Sequence, residues 1–283
     1  MREFSVPELL SKYISQLKSL NKTIGLVPTM GALHDGHLTL IEKSKEENDV
    51  TVVSIFVNPL QFNNEGDLSN YPRTMDSDAK ALKKSGVDIL FAPSESEMYT
   101  SQPSISIDFG KMANVLEGEF RPGHFAGVGV VVGKLLNISI PDRAYFGLKD
   151  LQQFLLVKKL TYDLSFPVNI VGVDTVRDEN GLALSSRNAR LTNEGLIIAS
   201  NIHQGLKMVE DKISKNESIR LIRASVMEFY ESISGLDVEY FELVDVDTLK
   251  SVDSYSELNE LAICVAGYVD GIRLIDNLYL RLK

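Results

Sequence analysis

The sequence predicts an α/β fold: a doubly wound parallel sheet over residues 1–175, then a smaller α+β domain over residues 176–283. Three observations carry this. Short apolar strands alternate with helical stretches through the first part of the chain, the pattern of repeated βαβ units. VTVVSIFV (50–57) is almost continuously apolar and rich in β-branched residues, as expected of a central parallel strand covered on both faces. After Arg177 the alternation stops, and two amphipathic helices precede three strand-like runs.

Taken in order, Ser5-Val6-Pro7-Glu8 reads as a capping box opening a helix with Leu10, Tyr13, Ile14 and Leu17 at helical spacing. TIGLVP (23–28) reads as a short buried strand and HDGHLTLIEKSKEEN as a helix opening just after glycine. Beyond VTVVSIFV come a helical stretch from Thr74 to Ser85 and the strand VDILFAP (87–93). FAGVGVVVGKLLNISI (125–140) is the nearest approach to a membrane span, but Lys134 and Asn137 interrupt it, so it reads as a buried helix. RAYFG (143–147), a helix from Asp150 and PVNIVGV (167–173) complete the first domain.

DENGLALSSRNARLT then forms a polar loop with an Asn-Gly turn. One following helix carries Ile198, Ile202 and Leu206, the other Ile219, Ile222, Val226 and Phe229. VEYFELV, ELAICVAGYV and IRLIDNLYL close the chain, the last two joined at Asp270-Gly271, a strong hairpin signal.

Composition narrows the class. With 283 residues, 44% hydrophobic, the chain can bury a large core or two packed domains. A formal net charge of −10 argues against a general nucleic-acid partner, so any anionic ligand needs a local cluster of positive groups. No uncharged apolar run is long enough for a membrane span, and MREFSVPELL lacks the apolar core of a secretory signal. The single cysteine, Cys264, lies in the apolar run LAICVAGYV and suits a core thiol in a reducing compartment. A cytoplasmic globular protein is expected.

Two of the four histidines fall within VPTMGALHDGHLTL, residues 27–40. In an open parallel sheet, ligands bind at the carboxyl ends of strands where the order reverses. Pro28-Thr29-Met30-Gly31 leaves the first such strand, and His34-Asp35-Gly36-His37 enters a helix. A helix N-terminus presents unpaired N–H groups and partial positive charge, and glycine lets backbone approach phosphate closely. Imidazoles there can donate hydrogen bonds as charge develops on phosphate oxygens. Asn58-Pro59 ends a buried strand, which puts the amides of Asn58 and Gln61 in the same crevice. Lys149-Asp150 opens a helix directly after a strand; Lys149 suits phosphate as a point cation, and Asp150 suits a plain N-cap equally well. Ser185-Ser186-Arg187 has the composition of a phosphate clamp and equally that of a solvated connector.

GALHDGHL resembles the HxGH signature of the nucleotidyltransferase superfamily, which acts at the α-phosphate of ATP. VPTMGALHDGHLTL, SIFVNPLQF (54–62), YPRT (71–74), LEGEFRPGHFAGV (116–128), YFGLKDLQQ (145–153) and LSSRN (184–188), in this order, resemble the pantothenate synthetase (pantoate–β-alanine ligase) family. The resemblance spans both domains and implies a Rossmann-like first domain with the second forming a lid over the site. It implies condensation of pantoate with β-alanine, converting ATP to AMP and pyrophosphate through a pantoyl adenylate.

Carried over residue by residue, the resemblance assigns ATP binding to Met30, Gly31, Ala32, Leu33, His34, Asp35, Gly36 and His37. It adds Gly147, Leu148, Lys149 and Asp150, the backbone at Val176, and Leu184, Ser185, Ser186 and Arg187. His37 takes the role of proton donor, with His34 beside the phosphates and Lys149 and Arg187 completing the catalytic set. Gln61 would bind pantoate and β-alanine, Gln153 pantoate, with Asn58 also on the substrate side. Tyr71, Glu117 and Arg121 match weaker family positions. His124 is expected to order a loop, and His203 to lie on the surface. The family commonly has an acidic residue where this chain has Leu148. ATP is expected as a substrate with Mg2+ held mainly through its phosphates, no metal-ligand set is assigned to the protein, and a homodimer is implied. The rivals are a nucleotidylyltransferase of the same superfamily, disfavoured by VNPLQF and FGLKDLQQ, and a non-catalytic ATP-binding regulator. A tRNA synthetase would need a basic surface that this chain lacks.

Overall fold

The first part of the chain runs β1 (Arg2–Phe4), α1 (Pro7–Ser19), β2 (Ile24–Thr29), α2 (Asp35–Glu47), β3 (Val50–Ile55), α3 (Glu65–Ser69) and α4 (Met75–Lys84). It continues through β4 (Ile89–Phe91), α5 (Glu95–Met98), α6 (Glu117–Phe120), α7 (His124–Ser139), β5 (Arg143–Gly147), α8 (Leu151–Asp163) and β6 (Asn169–Val173). The remainder holds α9 (Asn193–Ser214), α10 (Ile219–Glu231), β7 (Asp237–Asp245), β8 (Glu260–Val269) and β9 (Ile272–Arg281). This is a computed structural model, and it describes residues 1–63 and 65–282. The chain divides into two units: Met1–Leu148 with Gln153–Asp174, and Lys149–Gln152 with Thr175–Lys283.

The first unit is a six-stranded parallel sheet in the order β1-β4-β3-β2-β5-β6. Side chains alternate across a strand, so a strand apolar at every position must be covered twice. Ile24, Leu26, Val52, Phe56, Ile89, Phe91, Ala144 and Phe146 face one way, packed with Leu10 and Ile14 of α1, Val131 and Leu135 of α7 and Val157 and Leu160 of α8. Val27, Val53, Ile55, Leu90 and Tyr145 face the other, under Leu40 and Ile41 of α2 and Leu82 of α4. The interrupted apolar run thus becomes α7, and among the described residues no helix is long and apolar enough to cross a membrane.

One element is new and one local expectation changes. Residues 2–4 form an edge strand, because Arg2 N donates to Asp88 O (2.7 Å) and Ala92 N to Phe4 O (2.8 Å). Helix α1 opens at Pro7 with Val6 as N-cap and no side-chain cap, so the Ser5–Glu8 box does not form. Proline at the first helical position has no N–H to satisfy, which reduces the need for one.

The second unit packs α9 and α10 on a three-stranded antiparallel sheet, β7-β8-β9. Ile202, Leu206, Ile222, Val226 and Tyr230 from the helices meet Leu243, Ile263, Val265 and Leu274 from the strands. Asp270 (φ 53°) and Gly271 (φ 71°) turn the β8–β9 hairpin in the left-handed conformation a tight two-residue turn requires.

His203 is not a surface residue. The register that turns Ile202 and Leu206 into the core leaves His203 on the flank of α9, half-buried, against the backbone of Gly181 and with Nδ1 4.0 Å from Asp276 Oδ2. Burial first, and then the charge of Arg177, holds this imidazole below its ordinary pKa. The unfolded chain takes up a proton as pH falls through ~6.5, whereas the folded one resists until lower pH. Stability present above that region is therefore lost on acidification. Thermal midpoints measured from pH ~7 to ~5 should fall less steeply for His203→Gln than for the parent, and equal slopes would refute this.

Candidate active site

From β2 the chain moves outward through β3 to β4, then returns to β5 on the other side of β2. The carboxyl ends of β2 and β5 are therefore the switch point of the sheet. Met30 follows β2 directly, and Gly147 ends β5. The turn beyond Met30 carries two left-handed residues, Gly31 (φ 82°) and Ala32 (φ 51°). Asp78 of α4, 4% exposed, holds that turn, accepting from Ala32 N (2.9 Å), Leu33 N (3.0 Å) and Thr74 Oγ1 (3.0 Å). Two N–H groups of the stretch are thus occupied within the protein, and the anion-attracting end is the first turn of α2 itself. Sequence pattern does not single out Asp78. An acidic residue in the first turn of a helix reads there as a response to the helix dipole.

His34 is the N-cap of α2, and the His34 and His37 rings lie 4.1 Å apart between centroids, tilted by 47°. His37 Nδ1 accepts from the His34 backbone N–H at 3.3 Å. A neutral imidazole that accepts at Nδ1 carries its proton on Nε2, which makes Nε2 a donor. The glycine between them has a steric reason. A Cβ on Gly36 would lie 2.9 Å from His34 Cε1 and 3.0 Å from its Nδ1, so the ring can fold over this position only where there is no side chain.

The amide pair after β3 is oriented by a chain of one-way hydrogen bonds. The carbonyl of Gly127 can only accept, so Asn58 points Nδ2 at it (3.1 Å) and the same group donates to Gln61 Oε1 (3.1 Å). Asn58 Oδ1 receives Tyr99 OH (2.8 Å). Burial first, and then Glu95, pushes the Tyr99 phenol above its ordinary pKa, so it remains a donor. With its oxygen fixed, Gln61 turns Nε2 to Met30 Sδ (3.1 Å). Its main-chain carbonyl receives Nδ1–H of the buried His124 (2.8 Å), whose Nε2 in turn lies 3.3 Å from Arg121 Nη1. Asn58, 1% exposed, therefore orients the Gln61 amide, and His124 anchors the loop that carries Gln61. Gln153 lies in the first turn of α8, half-buried.

In the second unit, Arg177 and Ala183 form an antiparallel bridge that brings Val176 and Leu184 side by side, Leu184 N donating to Val176 O at 2.9 Å. Ser185 Oγ accepts from Arg187 N (3.2 Å) and caps a short turn over Ser186–Arg190. Lys149 is half-buried and Asp150 exposed. Its carbonyl held by Asn277 Nδ2 at 2.7 Å, Lys149 is fixed by its main chain. Among the described residues no group of three or more His, Cys, Asp or Glu side chains could hold a metal ion.

Residues 3–279 match the family model described as pantoate–β-alanine ligase. The chain belongs to the pantoate–β-alanine ligase family. A pantothenate synthetase of Cytophaga hutchinsonii is 43% identical over 274 residues, 96% of this chain and 97% of the relative. The crystal structure of pantothenate synthetase from Thermus thermophilus superposes with a TM-score of 0.92 at 39% identity, covering 98% of this chain and 99% of the other. A pantoate–β-alanine ligase of Francisella tularensis, complexed with beta-gamma ATP and β-alanine, gives 0.79 at 36% identity, covering 98% and 97%.

Against the pattern expected of a pantoate–β-alanine ligase, the departure at Leu148 has a local consequence. The Leu148 side chain lies over Gly172 of β6 beside Phe154, where a Cβ on that glycine would come within 2.7 Å of Leu148 Cδ2. An acidic side chain in that place would set its charge beside the Phe154 ring. Tyr71, at another family position, is buried edge-on against Phe62, with ring centroids 5.8 Å apart.

Proposed function

We propose that this chain condenses pantoate with β-alanine, using ATP and releasing AMP and pyrophosphate through a pantoyl adenylate. The observation that carries this is the contact between Gln61 Nε2 and Met30 Sδ. It places an amide donor, suited to a carboxylate or hydroxyl oxygen, against the first residue of the Met30–His37 stretch. An acid held by Gln61 then lies next to the phosphates held at the start of α2.

In the first step a pantoate carboxylate oxygen attacks the α-phosphorus, and the bond to the bridging oxygen breaks, pyrophosphate taking the electron pair. A carboxylate is already nucleophilic at neutral pH, so no base is needed. The obstacle is aligning two anions, which positioning and electrostatic stabilisation overcome. His37, its proton on Nε2, donates as negative charge develops, with His34 beside it. Lys149, Ser185, Ser186 and Arg187 are assigned to the triphosphate, and Gln153 to pantoate. Magnesium fits as an ion carried on the triphosphate and water rather than in a protein cage. In the second step the β-alanine amine attacks the acyl carbon, the C–O bond to AMP breaks, and the nitrogen loses a proton.

With ATP, magnesium and pantoate but no β-alanine, labelled pyrophosphate should exchange into ATP, and omitting pantoate should stop it. A regulator that only binds ATP would show no exchange. Exchange that requires β-alanine, or ADP in place of AMP, would overturn the acyl-adenylate route. We read the working enzyme as a cytoplasmic homodimer, and sedimentation velocity showing monomer alone would remove the second part.

A further inference from the structure

Strand β9 alternates buried and half-buried positions from Ile272 to Ile275, then buries two polar residues in succession, Asp276 (4% exposed) and Asn277 (7% exposed). Neither adds to the apolar core, and burial of such groups is tolerated only where each is hydrogen-bonded. Both are. Asp276 takes the Arg177 guanidinium through two bonds, Nη1 to Oδ2 at 2.6 Å and Nη2 to Oδ1 at 2.9 Å. Arg177 Nη1 also reaches Gly181 O at 3.1 Å, closing the base of the turn that pairs Val176 with Leu184. Asp276 Oδ1 accepts from Asn277 N (2.8 Å), which fixes the backbone from which the Asn277 amide reaches Lys149 O at 2.7 Å.

A buried ion pair is a weak source of stability beside an apolar pair of the same size, and its best-attested use is to specify one arrangement. Here the two partners of the Asp276–Asn277 dipeptide are the two segments of this unit assigned to ATP. We propose that Asp276 and Asn277 are positioning residues for the ATP site: Asp276 sets the 176–187 loop through Arg177, and Asn277 sets Lys149 through its main-chain carbonyl. The proposal rests on the reading of Lys149 and the 176–187 loop as ATP-binding.

The test is a double-mutant cycle on the full chain, with the ATP dissociation constant measured by calorimetry. Asn277→Ala should weaken ATP about tenfold while leaving the KM for pantoate within about twofold, since misplacing a binding group by a fraction of an ångström has effects of this order. Lys149→Ala should weaken ATP at least as much, and adding Asn277→Ala to it should cost no more than about a further twofold, because the residue it positions is gone. Losses that multiply, or an Asn277→Ala protein that binds ATP like the parent, would overturn the proposal. If the alanine variant does not fold, Asn277→Ser serves, its hydroxyl being one bond shorter than the amide nitrogen. A parent enzyme without pantoate-dependent pyrophosphate exchange would instead sink the proposed reaction, and the calorimetric cycle, which needs no turnover, would still decide this point.

Discussion

His37→Ala is expected to lower turnover by about 10²–10³-fold, the typical effect of removing one preorganised donor from a developing charge. The fold should survive, since His37 is half-buried in the first turn of α2, outside the apolar cluster formed beneath that helix by Leu40 and Ile41. The loss should fall on kcat more than on the KM for ATP, because a donor that acts as charge develops binds the transition state more strongly than the substrate. His37→Gln is the informative companion: its terminal amide nitrogen lies near the position of Nε2 and should restore part of the rate. Parent-like turnover in the alanine variant, with an unchanged circular dichroism spectrum, would remove His37 from the catalytic set.

Gly127→Ala should damage both stability and the use of pantoate. A Cβ there would fall 2.2 Å from the carbonyl oxygen of Leu60 and 2.8 Å from the backbone nitrogen of Gln61. Both obstacles are backbone, so the 59–61 turn or helix α7 must move. Overpacking of this kind costs about 1–3 kcal/mol. The same shift strains the bond from Asn58 Nδ2 to the Gly127 carbonyl, which sets the direction of the Gln61 amide. The KM for pantoate should therefore rise by more than that for ATP. Chemical denaturation and steady-state kinetics check the two parts separately, and equal rises in both KM values would sink the second.

Much of the fold was legible because it follows from short-range pattern. VTVVSIFV, apolar at all positions but Thr51 and Ser54, must be covered twice, and Asp-Gly between two apolar runs accepts positive φ at low cost, so both features could be read without a partner in view. The candidate site stands out in sequence where its chemistry is rare: two histidines around one glycine at a strand exit. Arg2–Phe4 was not, since a three-residue polar strand exists only through pairing with Ile89–Phe91.

The sequence by itself determined the architecture, the family and the residue types at the switch point. The tertiary structure decided which side chains orient the others. That the Gly127 carbonyl orients Asn58, that Asp78 occupies the Ala32 and Leu33 N–H groups, and that Asn277 holds Lys149 all depend on pairs from 45 to 128 positions apart. The physical reason is that a buried amide or carboxylate must be satisfied by whatever the fold brings beside it, and local pattern carries no record of that partner.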